Sequence, residues 1–248
     1  TASKAVIMTE KKEIYAKAMI PHGTGSAGPQ KVFDKILKES GLKRTDIKKI
    51  LATGYGRFVF EQADSQKSEI SCHTKGMFFI NPEIRTIIDI GGQDVKAIRL
   101  NDKGTIANFT MNDKCAAGTG RFLENMAKVL DVQTEDLGTL SEQATEVVEI
   151  SNTCTVFAES EVISKLSSNT KIENIVAGIH KSVAKRVASL AFRNGVIPKS
   201  AMSGGGALKK GIVKALSEEL KQDIFVHENC QLFGAIGAAL YALEEINK

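Results

Sequence analysis

The 248-residue sequence has no stretch of about 18 consecutive apolar residues, which excludes a transmembrane helix. It shows no secretory leader either: Thr1-Ala2-Ser3-Lys4 is small and polar, with no apolar leader segment. No block of like charge occurs. The net charge of +4 is modest and its basic residues are spread along the chain, so nucleic acid is not an expected partner. Cysteine is scarce. Four in a chain of this length, without a leader, read as a reducing, cytoplasmic compartment and not as a disulfide framework. There is no Gly-x-x-x-x-Gly-Lys-Ser/Thr loop and no early Gly-x-Gly-x-x-Gly, so neither a P-loop nor a Rossmann nucleotide site is encoded. An initiator Met is also absent. The chain opens inside what reads as a motif, and the natural protein is expected to begin earlier.

What is present is a regular alternation of strands and helices. Ala5–Met8 and Glu13–Ala16 read as a strand pair across Glu10-Lys11-Lys12. Residues 23–28 form a loop, and Val32, Ile36, Leu37 and Leu42 follow at helical spacing with Gly41 as the stop. Ile50–Thr53 reads as a short buried strand. A second start comes at Thr86–Ile90, which turns through Gly91-Gly92-Gln93-Asp94 into the alternating stretch Val95–Leu100. Helices are expected over 121–130, 172–194 with Gly195 as the stop, 212–220 and 234–243, and short strands near Ala201-Met202 and at Ile224–Val226. Hairpins followed by strand–helix units, given twice, indicate two related α/β lobes with a cleft between them.

Three glycine turns carry the candidate phosphate chemistry. In Asp89-Ile90-Gly91-Gly92-Gln93-Asp94 an apolar strand ends in a carboxylate, and two glycines let backbone N–H groups approach a phosphate. Gln93 has the chemistry to orient a water, and Asp94 to hold Mg2+ through water or to polarise the nucleophile. A tight hairpin with a polar tip explains the same residues. Ser203-Gly204-Gly205-Gly206-Ala207 is a second strand-to-helix turn fit to cover an adenine or ribose. Gly118-Thr119-Gly120 is the third.

That third turn lies three residues past Cys115. Cys115 and Cys154 each sit in a loop running into a helix, where the helix N-terminus favours a thiolate. Two thiolates are half of a tetrahedral zinc or cubane iron–sulfur set, which wants four ligands. A homodimer with its twofold axis through the metal supplies the other half. Cys72 and Cys230 lack this setting and read as buried small hydrophobes. His73 has no second ligand at metal spacing and reads as a core histidine. Glu69 and Arg57 read as surface residues.

Taken together, Thr1–Lys4, Ala52–Arg57, Ser68–His73, Ile88–Lys96, Met111–Leu123 and Thr153–Ser164 resemble the two-lobed ASKHA ATPases, which include sugar kinases, heat-shock ATPases and actin. Within them the chain resembles the ATP-dependent activators of 2-hydroxyacyl-CoA dehydratases, a family shared with the benzoyl-CoA reductase ATPase subunits. The resemblance implies an α/β fold of two RNase H-like lobes around a central nucleotide cleft. Residues 1–84 with 232–248 would form the first lobe, and 85–231 the second. It further implies a homodimer sharing one [4Fe–4S] cluster through Cys115 and Cys154 of each subunit, with ATP hydrolysis driving a low-potential electron to a dehydratase or related reductase. A ferredoxin or flavodoxin would be the electron source. Thr1, Ala2, Ser3 and Lys4 would cradle the β-phosphate, Gly91, Gly92 and Gln93 the second phosphate site, Glu124 a ribose hydroxyl, and Gly204, Gly205 and Gly206 the nucleoside; Asp94 and Gln93 would be catalytic.

Two features depart from the family pattern. The family has an Asp and a Gly-Ser just before Thr-Ala-Ser-Lys, whereas this chain begins at Thr1. Gly206-Ala207-Leu208-Lys209 stands where members often carry Val-Ala-x-Asn. Two other functions fit the same fold. A sugar-type kinase needs a general base, for which Asp94 is available, but it leaves the cysteine pair unexplained. A nucleotide-binding regulator without turnover would follow from a missing first motif.

Overall fold

The structure is a computed structural model describing residues 1–23, 27–151 and 154–247. Part of the loop expected over 23–28, and Asn152 and Thr153 before the second site cysteine, lie outside the described residues. The chain divides into two compact units. The first comprises Thr1–Ile84, Leu100–Ile106 and Gln231–Lys248; the second comprises Arg85–Arg99 and Ala107–Cys230.

In the first unit, β1 (Ser3–Met8) and β2 (Ile14–Ile20) pair antiparallel, as the hairpin pattern requires. Helix α1 (Gly28–Ser40) has Pro29 in its first turn and ends at Gly41, whose φ of 73° is a left-handed stop. Its apolar face brings Val32, Phe33 and Ile36 together with Ala18 and Ile50 in one core. The strand expected at Ile50–Thr53 is shorter, β3 (Leu51–Ala52), and pairs in parallel with β4 (Ser65–Gln66).

Helix α2 (Glu69–Ile80) was not evident from periodicity. Its N-cap Ser68 accepts from the Ser71 N–H at 3.2 Å. It packs against α8 (Phe233–Ile246), and glycines set the approach on both sides. A Cβ on Gly76 would overlap the Phe233 carbonyl, and one on Gly237 would overlap the Cys72 carbonyl. Cys72 is fully buried here, and burial pushes its thiol up to about 11. His73 is also buried, its ring edge-to-face with Phe233, in keeping with the core reading.

The second unit is built on a five-stranded sheet, ordered β7-β6-β5-β8-β9. Strands β5 (Thr86–Ile90) and β6 (Val95–Leu100) form the expected antiparallel hairpin. The edge strand β7 (Ile106–Asn112) follows it. Strand β8 (Ser200–Ser203) runs parallel to β5 and to β9 (Ile224–Phe225). The helices are α3 (Gly120–Val129), α4 (Leu137–Glu142), α5 (Thr155–Ser167), α6 (Ile172–Asn194) and α7 (Lys210–Leu220). Along α6 the apolar Ile175, Val176, Ile179, Val183, Val187 and Leu190 are buried, but so are the polar Asn174, His180, Ser182 and Asn194, because neighbours cover the helix nearly all round. Asn194 ties its end to the sheet by donating to the Ala97 carbonyl at 3.0 Å.

Candidate functional site

The β5–β6 hairpin has a four-residue turn, so its register sets Asp89 directly opposite Lys96. On the other side, Asp89 stands opposite Ser203 of β8. The three side chains, joined by Asp94 from the turn, form a polar row across the end of the sheet. Lys96 Nζ lies 2.8 Å from Asp94 Oδ1 and 3.5 Å from Asp89 Oδ2. Ser203 Oγ donates to Asp89 Oδ1 at 2.9 Å. Lys96 is only 2% exposed, with Asp89 and Asp94 at 4% and 6%. Ion pairs withdrawn from water in this way are tolerated because each charge is met by an opposite charge or a hydrogen bond. From the sequence, Asp94 is expected to hold Mg2+ through water or to polarise the nucleophile, with no partner named for it. In the structure it is held by Lys96, a residue that sequence reasoning did not single out.

The turn is also locked to the start of α3. The Gly120 N–H donates to the Gly91 carbonyl at 2.9 Å, and the Arg121 N–H to the Gly92 carbonyl at 3.1 Å. The approach is close enough that a Cβ on Gly120 would stand 3.3 Å from the Gly91 oxygen and from Gly92 Cα, a tight contact. A side-chain link adds to these. With its amide oxygen toward Arg121, Gln93 accepts from Nη2 at 3.0 Å and Nη1 at 3.2 Å. The third glycine turn therefore meets the first through direct hydrogen bonds. Glu124, one turn further along α3, is exposed.

This arrangement alters the expected setting of Cys115. The amides of Gly120 and Arg121 at the start of α3 are occupied by the hairpin carbonyls, and Cys115 lies ahead of them beyond Gly118, which turns the chain at φ 91°. Cys154 does sit at a helix start: it is the N-cap of α5, and its carbonyl accepts from the Ala158 N–H at 3.1 Å. Both thiols are half-buried and free of disulfides, and the helices that follow them, α3 and α5, pack together. Cys230, like Cys72, is fully buried.

One ridge of α6 supports both cysteine approaches. Asn174 Oδ1 accepts from the Thr145 N–H at 3.0 Å, and its Nδ2 donates to Glu146 at 3.1 Å. Gly178 leaves room for the Val148 carbonyl, and Ser182 Oγ donates to the Ser151 carbonyl at 2.9 Å. Ser151 in turn donates its N–H to Glu161 of α5 at 2.6 Å. One turn further, the Arg186 side chain lies 3.6 Å from where a Cβ on Gly118 would be. Residues 174, 178, 182 and 186 are spaced by four, which places them along one line of the helix surface.

Soft thiolate donors suit iron or zinc. Among the described residues no three His, Cys, Asp or Glu side chains come together as a metal-holding group, so the four-ligand set expected for Cys115 and Cys154 is not completed within one chain. Thr155 Oγ1, directly after Cys154, is buried with no hydrogen-bond partner among the described residues. A hydroxyl of this kind fits beside a sulfur-rich group, whose potential responds to such donors.

The Gly204–Gly206 turn has a structural reason for its glycines. Gly204, at φ 80°, packs against the Ile90 carbonyl and lies near Asp89 Oδ1, and a Cβ on Gly206 would lie 2.6 Å from Ile90 Cβ. Gly204 and Gly206 are buried and only Gly205 is partly exposed. In the neighbouring turn Leu208 is exposed, and Lys209 pairs with Glu135 at 3.3 Å. Thr1–Lys4 belong to the first unit, where Ser3 Oγ donates to the His22 carbonyl at 2.8 Å.

The sequence is 56% identical over 247 residues to the activator of lactoyl-CoA dehydratase of Anaerotignum propionicum, covering 100% of this chain and 95% of that protein. Among solved structures, the activator of the 2-hydroxyisocaproyl-CoA dehydratase from Clostridium difficile with bound ADPNP superposes with a TM-score of 0.96. The two are 55% identical, over 100% of this chain and 92% of that one. Component A of the (R)-2-hydroxyglutaryl-CoA dehydratase of Acidaminococcus fermentans gives 0.96 at 51% identity, over 100% and 96% of the two chains. A ROK family glucokinase from Streptomyces griseus, 10% identical with a TM-score of 0.59 over 98% of this chain and 96% of its own, shares the ASKHA fold alone. With a family match over residues 1–242, and more than half of its residues shared with one relative along its whole length, the chain belongs to the BadF/BadG/BcrA/BcrD ATPase family.

Proposed function

We propose that the protein is an ATP-driven electron donor that activates a 2-hydroxyacyl-CoA dehydratase. Its high-identity relatives carry names of dehydratase activators, and one of them was solved with a nucleotide analogue. The observation that carries the reading is the hydrogen-bonded junction between the Gly91-Gly92 turn and the first turn of α3, downstream of Cys115. A change at a phosphate on that turn reaches the cysteine loop through backbone bonds.

In this reading Gly91 and Gly92 present backbone to a phosphate, and Gln93 orients the attacking water. Asp94, fixed by Lys96, would hold Mg2+ through water, and the ion would supply charge to the phosphates. The polar row sets two carboxylates against one ammonium, and a divalent cation offsets the excess negative charge. Thr1, Ala2, Ser3 and Lys4 bind the β-phosphate, Glu124 a ribose hydroxyl, and the Gly204–Gly206 turn the nucleoside. Cys115 and Cys154 from each of two copies would hold one [4Fe–4S] cluster, which supplies single electrons at low potential. The exposed Val156 and Phe157, two and three residues after Cys154 at 67% and 65% accessibility, give the second copy an apolar surface to cover. A ferredoxin or flavodoxin recharges the protein, in the cytoplasm. No helix among the described residues is long and apolar enough to cross a membrane.

Anaerobic purification with iron and sulfide analysis, alongside an ATPase assay, tests the proposal. The expected result is a brown dimer that hydrolyses ATP and loses both iron and dimer in Cys115→Ala. Colourless, iron-free wild-type protein prepared without oxygen would reject the electron-transfer role.

A further inference from the structure

Arg121 is exposed at the first turn of α3, and its guanidinium is spent on a neutral amide, that of Gln93. Among the described residues it has no carboxylate partner, although the polar row nearby holds two. Its backbone is fixed independently, because its N–H donates to the Gly92 carbonyl and Gly120 is pinned to Gly91. The side chain can therefore change partner without moving the helix start. A guanidinium bound to an amide oxygen makes a charge–dipole contact, whereas with a phosphate it makes a paired, charge-assisted contact of matching fork geometry. An anion arriving at the Gly91-Gly92 turn outcompetes Gln93 for it.

We propose that Arg121 is the triphosphate sensor of the second unit: it rests on Gln93 and transfers to the terminal phosphoryl group of a nucleoside triphosphate, releasing the Gln93 amide oxygen to accept from a water. This rests on the ATP reading given above, and extends it by assigning the residue that tells triphosphate from diphosphate. One exchange does two things. It places positive charge where negative charge accumulates during phosphoryl transfer, and it frees the side chain that aligns the nucleophile. A diphosphate lacks the group that draws Arg121 away, so with ADP the Gln93 contact persists and the turn stays in its resting state.

Calorimetric titration of the full-length protein with Mg2+ and either a non-hydrolysable ATP analogue or ADP provides the test. In wild type the analogue is expected to bind more tightly than ADP. Arg121→Gln should weaken the analogue about tenfold, as loss of one charge-assisted phosphate pair implies, and change ADP by less than about twofold. Arg121→Lys, which keeps the charge but loses the fork, should recover part of the difference. Retained ADP binding shows that each variant is folded. The proposal is overturned if Arg121→Gln weakens both nucleotides alike, or neither, while wild type binds both. If wild type binds neither nucleotide, the ATP reading itself falls and the sensor with it.

Discussion

Two polar regions of the second unit are buried to the same extent and solve burial in opposite ways. Across the sheet end, Lys96, Asp89, Asp94 and Ser203 are nearly inaccessible and mutually bonded. On α6, His180 is 1% exposed, packed against Gly211 of α7, and neither ring nitrogen has a hydrogen-bond partner among the described residues. The first region keeps its charges and surrounds them with partners. The second has none and gives up its charge: burial, with the nearby Lys209 ammonium adding to it, lowers the imidazole to about 4. The row thus keeps ionic groups in the interior, in keeping with the role proposed for Asp94, whereas the neutral ring of His180 is packing.

The contrast is broken most severely at Lys96. Lys96→Met leaves two carboxylates buried without their cation and should cost about 3–5 kcal/mol in denaturant unfolding, with loss of ATP hydrolysis. Adding Asp94→Asn should restore much of the stability and none of the turnover. Recovery of hydrolysis in that double variant would show the row to be structural only.

Next in size is the acid response of His180. Its folded value of about 4 lies below the unfolded 6.5, so between these limits the unfolded chain binds a proton that the folded one refuses. The His180 contribution to stability is therefore constant above pH about 6.5 and is lost as pH drops toward 4, roughly 3 kcal/mol in full. His180→Leu should flatten that part of the profile in chemical denaturation measured across pH; an unchanged slope would place the titration elsewhere. The smallest effect is Ser203→Ala, which removes one hydrogen bond to Asp89 and should cost about 1–2 kcal/mol by thermal unfolding.

Much of this was legible in the residues. Gly41 and Gly195 stop their helices with φ near 73° and 79°, and the Gly91-Gly92 turn gives the hairpin expected of it. Lys96 was hidden by the alternating character of Val95–Leu100, which reads as a strand with one wet face, although neighbours bury every residue but Arg99. Its partner was nevertheless implied: once four residues form the turn, the register sets residue 96 against residue 89. Helix α2 carries no clean apolar stripe, because its buried residues mix Cys72 and Met77 with His73, Thr74 and the glycine that meets α8. Strand β7 is mostly exposed and β4 is two residues long, too short for any period to register, whereas β3 falls inside the strand expected over Ile50–Thr53. For the cysteines, the sequence conveyed the pairing of loops with helices but not that α3 spends its first amides on the hairpin.

The ridge of Asn174, Gly178, Ser182 and Arg186 has a consequence for how this protein tolerates change in length. An α-helix turns about 100° per residue, so one residue inserted near position 180 would swing Ser182 and Arg186 off the line while leaving Asn174 and Gly178 in place. The strap leading to Cys154 would then be held at one end only, and the loop after Cys115 would lose its floor. Substitutions along α6 act one contact at a time, but a change in residue count separates the two thiols' supports in a single step. The interval between Asn174 and Arg186 is thus a ruler for the cysteine pair, fixed in units of helical turns.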